Sequence, residues 1–425
     1  MDPHSHIETL CVQAGWQPQN GEPRVLPIFQ STTFKYDSSE VLGKLFDLEA
    51  PGHFYTRISN PTLECVENKI ALLEGGIGAM LTSSGQAASL IAILNLCKSG
   101  DHVVSTAAIY GGNFNLFSVT LKRMGIDFTF VNQNEPAEVL AFAFRPNTKA
   151  FFAETVTNPS LEVADLEKLA TLAHAHGVPF IVDNTFPTPI LCRPIEWGAD
   201  IVLHSTTKYM DGHAQTIGGA IVDAGNFDWT NGKFPELCEP DASYHGVVYT
   251  ERFGRAAYIT KARVQLMRDL GAQQNPFAAY ILNLGLETLH LRMPRHCSNA
   301  LAVAQHLEQH PRVAWVNYPA LESSPFRVLA QKYLPQGTCG VVSLGIKGGR
   351  SAATRFMDGL QLAAIVTHVA DARTCILHPA STTHRQLSDD QLKAAGISAD
   401  LVRLSVGIEN IHDILVDLDQ SLEKL

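Results

Sequence analysis

The sequence predicts an α/β fold, with a large domain on a mainly parallel sheet followed by a smaller C-terminal α+β domain. Three observations carry this. The chain has 425 residues, more than one ordinary hydrophobic core accommodates. From Pro61 to about residue 288, short apolar runs alternate with helical patterns, as in a parallel sheet covered by helices. From about residue 289 the pattern changes to helix, strand, strand, helix.

Residues 1–60 are polar, proline-containing and irregular, and read as an arm. Residues 61–288 form the large domain. Its strands are predicted at Ala79–Leu81, His102–Ser105, Phe128–Val131, Ala150–Ala153, Phe180–Val182, Ile201–Leu203 and Gly219–Val222. Its helices include Gln86–Lys98, Asn113–Arg123 and Leu166–His176. Residues 226–260, rich in Gly, Pro and aromatics, are too long for a plain connection and predict an ordered excursion near the site or a subunit contact. In residues 289–425 a helix is expected over Pro294–Gln309, strands at Val313–Val316 and Gly340–Ile346, and a last helix from His412. Between them Leu401-Val-Arg403-Leu-Ser405-Val-Gly407-Ile-Glu409 alternates as a half-buried strand does.

Composition narrows the function. With 45% hydrophobic and 17% charged residues the chain is a well-packed globular protein. A formal charge of −10 argues against binding a nucleic-acid backbone. No apolar run reaches membrane-spanning length, and no basic-then-apolar leader is seen at the amino terminus. Eight scattered cysteines without a Cys-x-x-Cys pair read as reduced, mostly buried thiols of a cytoplasmic protein.

In such folds ligands sit beyond the carboxyl ends of the strands, so the residues after each strand are the candidates. The first strand runs into Thr82-Ser83-Ser84-Gly85-Gln86, small residues opening a helix whose free N–H groups suit a phosphate; a simple helix cap fits the same pattern. Tyr110-Gly111-Gly112 follows the second, an uncrowded ring able to lie over a planar group, or a turn tyrosine. Glu154 and Asp183 end two further strands. An acid there can hold a protonated ring nitrogen or cap a turn. The sixth strand ends in His204-Ser205-Thr206-Thr207-Lys208. Hydroxyls beside a lysine can hold a phosphate while the amine stays near an aldehyde, as pyridoxal phosphate (PLP) chemistry requires; a solvated lysine in a polar loop fits the same residues. Tyr55 and Arg57 share one face of an extended segment, which is also compatible with a surface turn before Asn60-Pro61. Arg403 suits a bidentate clamp on a carboxylate or a surface ion pair. His174, His176, His204 and His213 lack ligand spacing, so no metal site is expected.

Together these pieces resemble the Cys/Met-metabolism family of PLP enzymes over nearly the whole chain, which implies the aspartate-aminotransferase-like fold (fold type I). The lysine stretch departs from the family pattern only at Ala214, where glycine, serine or a related residue is usual. Within the family the resemblance is strongest to O-acetylhomoserine sulfhydrylases. It rests on Tyr55-Thr-Arg57 with Asn60-Pro61-Thr62, Lys233-Phe-Pro-Glu-Leu, Ser243-Tyr-His-Gly, Lys261-Ala-Arg-Val-Gln-Leu, Gly285-Leu-Glu-Thr-Leu, and Asp371-Ala-Arg with His378-Pro-Ala-Ser-Thr-Thr-His384.

The resemblance implies PLP as cofactor and a role for each matching residue. Lys208 forms the Schiff base and moves protons, Asp183 pairs with the ring nitrogen, and Tyr110 stacks on the ring. Ser84, Gly85, Gln86, Ser205 and Thr207 surround the phosphate, while Glu154 supports the ring's surroundings. Asn158 and Arg403 bind the substrate carboxylate. Tyr55 and Arg57 reach the neighbouring subunit's site, implying a homodimer with shared sites that pairs into a tetramer.

The implied reaction is γ-replacement on O-acetyl-L-homoserine by sulfide or another thiol, giving homocysteine and acetate. Cystathionine γ-synthase-like and methionine γ-lyase-like chemistry are the alternatives, and a non-catalytic descendant is disfavoured by the presence of Lys208, Asp183, Tyr110 and Arg403. Two departures bear on this. Methionine γ-lyases carry a cysteine where this chain has Gly112, which favours replacement over breakdown. Sulfhydrylases often have asparagine where this chain has His368, a substrate-facing position.

Overall fold

The computed structural model describes residues 4–382, 385 and 398–425. All seven predicted strands of the first part form, within one or two residues of the expected ends. They are β1 (Gly78–Thr82), β2 (His102–Thr106), β3 (Asp127–Val131), β4 (Thr148–Glu154), β5 (Phe180–Asp183), β6 (Ile201–His204) and β7 (Gly219–Asp223). They make one sheet in the order β1-β7-β6-β5-β4-β2-β3, in which only β7 runs antiparallel to its neighbours. Continuous apolar runs mark the central strands because helices cover both faces. Every residue of β2, β4, β6 and β7 is buried.

The second sheet holds β8 (Val313–Asn317), β9 (Val341–Ile346), β10 (Ala364–Ile365), β11 (Cys375–Leu377) and β12 (Leu401–Ser405), in the order β10-β11-β12-β9-β8. The 20-residue helix Leu289–Glu308 links the two sheets. Its Arg292 donates to the carbonyls of Tyr209 (2.7 Å) and Gly285 (2.5 Å), and its Asn299 to those of Gly407 and Glu409.

Three expectations need correction. The first 60 residues are less irregular than predicted, since Ile7–Gln13 and Ser39–Phe46 are helical and Leu10 and Cys11 are fully buried. The predicted helix over Asn113–Arg123 exists, but its middle, Leu116–Leu121, widens to π-helical bonding. The strand at Leu401 ends at Ser405 instead of continuing to Glu409, whose carboxylate binds Thr374 of the neighbouring loop. Residues 226–260 form an ordered excursion whose Trp229, Phe234, Leu237, Tyr244 and Tyr249 pack into the apolar layer beside Tyr258. Thr383 and His384 of the predicted motif lie outside the described residues.

Candidate active site

Strand ends β1, β2, β4, β5 and β6 converge on one cleft, as the parallel arrangement requires. Ser84 caps the Gly85–Leu94 helix by accepting from the Ala87 N–H at 3.1 Å. That leaves the N–H groups of Gly85 and Gln86 without a partner among the described residues. A Cβ on Gly85 would lie 2.8 Å from Ser205 Cβ, so glycine lets the helix start meet the end of β6. Two backbone donors and the Ser205 hydroxyl thus face one small seat suited to a phosphate. Thr207 sits differently. Its hydroxyl donates to Gly218 C=O (3.1 Å) and accepts from Gly218 N–H (3.0 Å), so its proton is committed to the protein.

Asp183 and Glu154 are register partners on β5 and β4. Burial raises the affinity of both for a proton, and for Glu154 the neighbouring Asp183 adds to this. The Thr185 hydroxyl donates to Asp183 Oδ1 at 2.5 Å, and its backbone N–H binds the same oxygen at 3.0 Å; both draw the carboxyl back toward ionisation. Thr185 also accepts from the Ser205 N–H at 2.8 Å, joining the Asp183 end of the cleft to the Gly85–Ser205 seat. No ion pair among the described residues neutralises Asp183 or Glu154. A cationic ring N–H therefore fits this end of the cleft.

Tyr110 is 48% exposed, anchored by its N–H to Glu154 Oε1 at 2.6 Å. Its ring folds over Gly112, where an added Cβ would fall 2.4 Å from Tyr110 Cε1. Lys208 makes no hydrogen bond through its ammonium among the described residues. Burial first, then the Arg403 cation, lowers its pKa to about 8. The next residue, fully buried Tyr209, accepts from the Gly340 N–H at 2.9 Å and so bolts the lysine turn to the second sheet.

Arg403 on β12 is 8% exposed and donates to Asn158 Oδ1 (3.2 Å) and to His368 C=O (3.4 Å). Burial lowers its pKa, and no carboxylate pairs with it among the described residues. Tyr55 (42% exposed) and Arg57 lie apart from these groups, the Arg57 guanidinium 5.3 Å from the Tyr55 ring centre and bonded to Arg268 C=O. Ala214 adopts φ +56°, the left-handed region that favours glycine.

The four histidines each have a partner of their own: His174 with Asp200 (2.8 Å), His176 stacked on Phe144, His204 with Glu74 (2.6 Å), and His213 Nδ1 with Asp211 C=O (2.7 Å). Among the described residues no group of three metal-ligating side chains occurs. Sequence reasoning missed Thr185, Tyr209 and Cys375. The last lies beside Lys208 and Arg403, its thiol pushed up to about 11 by burial. Only the Asp-x-Thr spacing hinted at the first, because an Asx-type turn readily forms at a strand end.

Known proteins resemble the chain along its full length. Residues 8–423 match the model of the Cys/Met metabolism PLP-dependent enzymes. A homocysteine synthase of Schizosaccharomyces pombe is 48% identical, covering 98% of each chain. An O-acetyl-L-homoserine sulfhydrylase of Thermus thermophilus is 46% identical, over 98% of this chain and 99% of that one. A solved Campylobacter jejuni chain, provisionally assigned as an O-acetylhomoserine (thiol)-lyase and carrying a pyridoxyl-lysine phosphate, superposes with TM-score 0.95 at 35% identity, covering 99% of this chain and all of that one.

Proposed function

The chain belongs to the Cys/Met-metabolism PLP-dependent enzymes and has their fold type I, and from that premise we propose that it catalyses γ-replacement on O-acetyl-L-homoserine by sulfide, giving L-homocysteine and acetate. The observation carrying this reading is full-length similarity to homocysteine synthases and O-acetylhomoserine sulfhydrylases, together with a lysine, an arginine and two acids that have no ion-pair partner among the described residues, converging on one cleft.

When bound, pyridoxal phosphate supplies an aldehyde for the substrate amine and a protonated ring that draws electrons from the substrate carbons. Gly85, Gln86 and Ser205 would hold its phosphate, with Ser84 fixing the helix start. Thr207 braces the loop through Gly218. Asp183 would accept from its ring N–H, and Glu154 holds the Tyr110 backbone so that its side chain would lie against the ring. Arg403 and Asn158 grip the substrate carboxylate. Burial and the Arg403 cation lower the Lys208 pKa to about 8, so its amine gives up a proton more readily than a surface lysine and is suited to take protons from Cα and then Cβ. Acetate leaves Cγ and sulfide takes its place. Gly112 supports replacement over breakdown, because this chain has glycine where methionine γ-lyases carry a cysteine.

The wider reading is a cytoplasmic homotetramer of dimers, with a cofactor-binding unit over residues 61–288 and a smaller unit over 289–425. Exposed Tyr55 beside Arg57 supports a face that completes a second subunit's site, and eight free cysteines support a reducing compartment. No helix among the described residues is long and apolar enough to cross a membrane. The test is product formation by the PLP-loaded protein given O-acetyl-L-homoserine and sulfide, with methanethiol, cysteine and no thiol as comparisons. Absence of homocysteine refutes the proposal.

A further inference from the structure

We propose that Arg263 is a positioning residue for the cofactor site of a neighbouring subunit: its guanidinium sets the turn that presents Tyr55 and Arg57 to that site. The inference rests on the reading that Tyr55 and Arg57 complete a second subunit's site, and it deepens that reading by naming what holds them.

Residues 55–59 form a tight turn, in which Tyr55 C=O accepts from the N–H groups of Ile58 (3.0 Å) and Ser59 (3.2 Å). Its two functional side chains have little support of their own. Tyr55 is exposed, and Arg57 makes one hydrogen bond, to Arg268 C=O, and no ion pair among the described residues. A guanidinium has five N–H donors, so most of those on Arg57 remain for an anion from outside the chain. Ordering a long exposed side chain costs free energy on binding, and a backbone already in place lowers that cost.

Arg263 supplies that placement. Its Nη1 donates to Ile58 C=O at 3.1 Å, while Nη2 donates to Glu67 Oε2 at 2.7 Å and to Ala79 C=O at 3.0 Å. Glu67 is buried in the Pro61–Glu74 helix, and its other oxygen accepts from Leu81 N–H at 2.8 Å. The turn is thereby tied to β1, the strand that runs into Ser84 and Gly85. A plain ion pair would account for the Glu67 bond. It does not account for Nη1, which commits a charged donor to the backbone of a turn 205 residues away. The helical segment carrying Arg263 makes the other holds as well. Ala262–Met267 is π-helical, and i→i+5 bonding puts residues 263 and 268 about one turn apart, so one helix grips Ile58 through the Arg263 side chain and Arg57 through the Arg268 carbonyl. Just beyond, Ala272 C=O accepts from Ser83 N–H at 2.7 Å. A continuous set of bonds therefore joins each chain's own Gly85–Ser205 seat to the turn it offers its neighbour.

The test uses Arg263→Lys, which keeps a cation for Glu67 but cannot span Ile58, Glu67 and Ala79 together. Binding of PLP, and of pyridoxal, which lacks the phosphate, is titrated by absorbance in the cofactor-free proteins. PLP affinity should fall at least about fivefold, the equivalent of one hydrogen bond, while pyridoxal affinity stays within about twofold of wild type. Equal loss for both ligands, or loss for neither, overturns the proposal. Mixing then separates the neighbour's site from the chain's own. In a hybrid with Lys208→Ala, the site that keeps its lysine receives Tyr55 and Arg57 from a chain with Arg263 intact. At limiting PLP the mixture should exceed the summed activity of the two variants, as should Arg57→Ala mixed with Lys208→Ala; co-purification of differently tagged subunits verifies exchange. Recovery with Arg57→Ala but not with Arg263→Lys overturns the Arg263 role and leaves the shared site standing. Recovery with neither sinks both. Should Arg263→Lys not fold, Glu67→Gln, which loosens the same fork, replaces it in both measurements, with the same direction expected and the same outcomes overturning the proposal.

Discussion

Gly112→Ala separates stability from function at Tyr110. The added Cβ falls 2.4 Å from Tyr110 Cε1 and 3.0 Å from both Tyr110 Cζ and Gln86 Nε2, so the ring has to move. It can, because the ring is 48% exposed and Tyr110 is anchored through its backbone N–H. Gly112 lies in the Gly111–Asn115 helix, where alanine is favoured over glycine by about 1 kcal/mol. The cofactor-free variant should therefore melt at or above the wild-type temperature. Displacing the ring forfeits stacking worth about 0.5–1.5 kcal/mol, which weakens PLP binding roughly 2- to 12-fold. Turnover falls further, since a misplacement of about 1 Å can cost roughly 100-fold. Melting of the cofactor-free protein, titration with PLP by absorbance, and steady-state rates measure the three effects. An unchanged PLP affinity together with an unchanged kcat would refute the role given to Gly112.

Lys208→Ala should abolish turnover while the cofactor-free fold survives, and near-normal activity would overturn the assignment. In cofactor-free protein, modification of Lys208 by an amine-directed reagent should titrate with a midpoint near 8, and Arg403→Leu should move that midpoint upward by removing a repelling cation. Arg403→Lys cannot span Asn158 and His368 C=O together. At about 1.5–3 kcal/mol for a lost charged hydrogen bond, kcat/KM should fall roughly 10- to 150-fold, mostly through KM. Arg57→Ala should weaken PLP retention, and mixing it with Lys208→Ala protomers should restore some activity where subunits exchange; exchange without recovery counts against a shared site.

The large sheet is legible in the sequence because each buried strand is an apolar run ended by a polar residue. What escaped detection is short or depends on distant partners. Ile7–Gln13 buries Leu10 and Cys11 but has too few turns to display a period. β10 and β11, two and three residues long, are strands only by virtue of pairing in the second sheet. The π-helical stretch in Leu116–Leu121 changes bonding without changing which face is apolar. At the site, residue types at strand ends suggested Lys208, Asp183 and Tyr110, and a lone arginine in an alternating strand suggested Arg403. The reuse of Thr207 by Gly218 and of Tyr209 by Gly340 could not be read, because each partner lies 11 or 131 residues away and is a backbone group present everywhere in the chain.

The electrostatics explain why one cleft should take both a cofactor and an amino acid. At one end, Asp183 and Glu154 are two carboxyls with no ion-pair partner among the described residues, and burial pushes each toward its neutral form. At the other end Arg403 is a buried cation with no carboxylate partner among the described residues, and burial together with that cation lowers the Lys208 pKa to about 8. Each imbalance is unfavourable alone, since an uncompensated buried charge costs several kcal/mol. A ring carrying a proton relieves the first, and a substrate carboxylate relieves the second. Neither ligand satisfies both ends, so the charge pattern selects a cation and an anion held apart in one cleft, with the Lys208 amine near Arg403. Binding at one end leaves the other demand in place. PLP alone and PLP with a carboxylate-bearing amino acid should therefore raise the melting temperature in two separate increments, and Arg403→Leu should erase only the second.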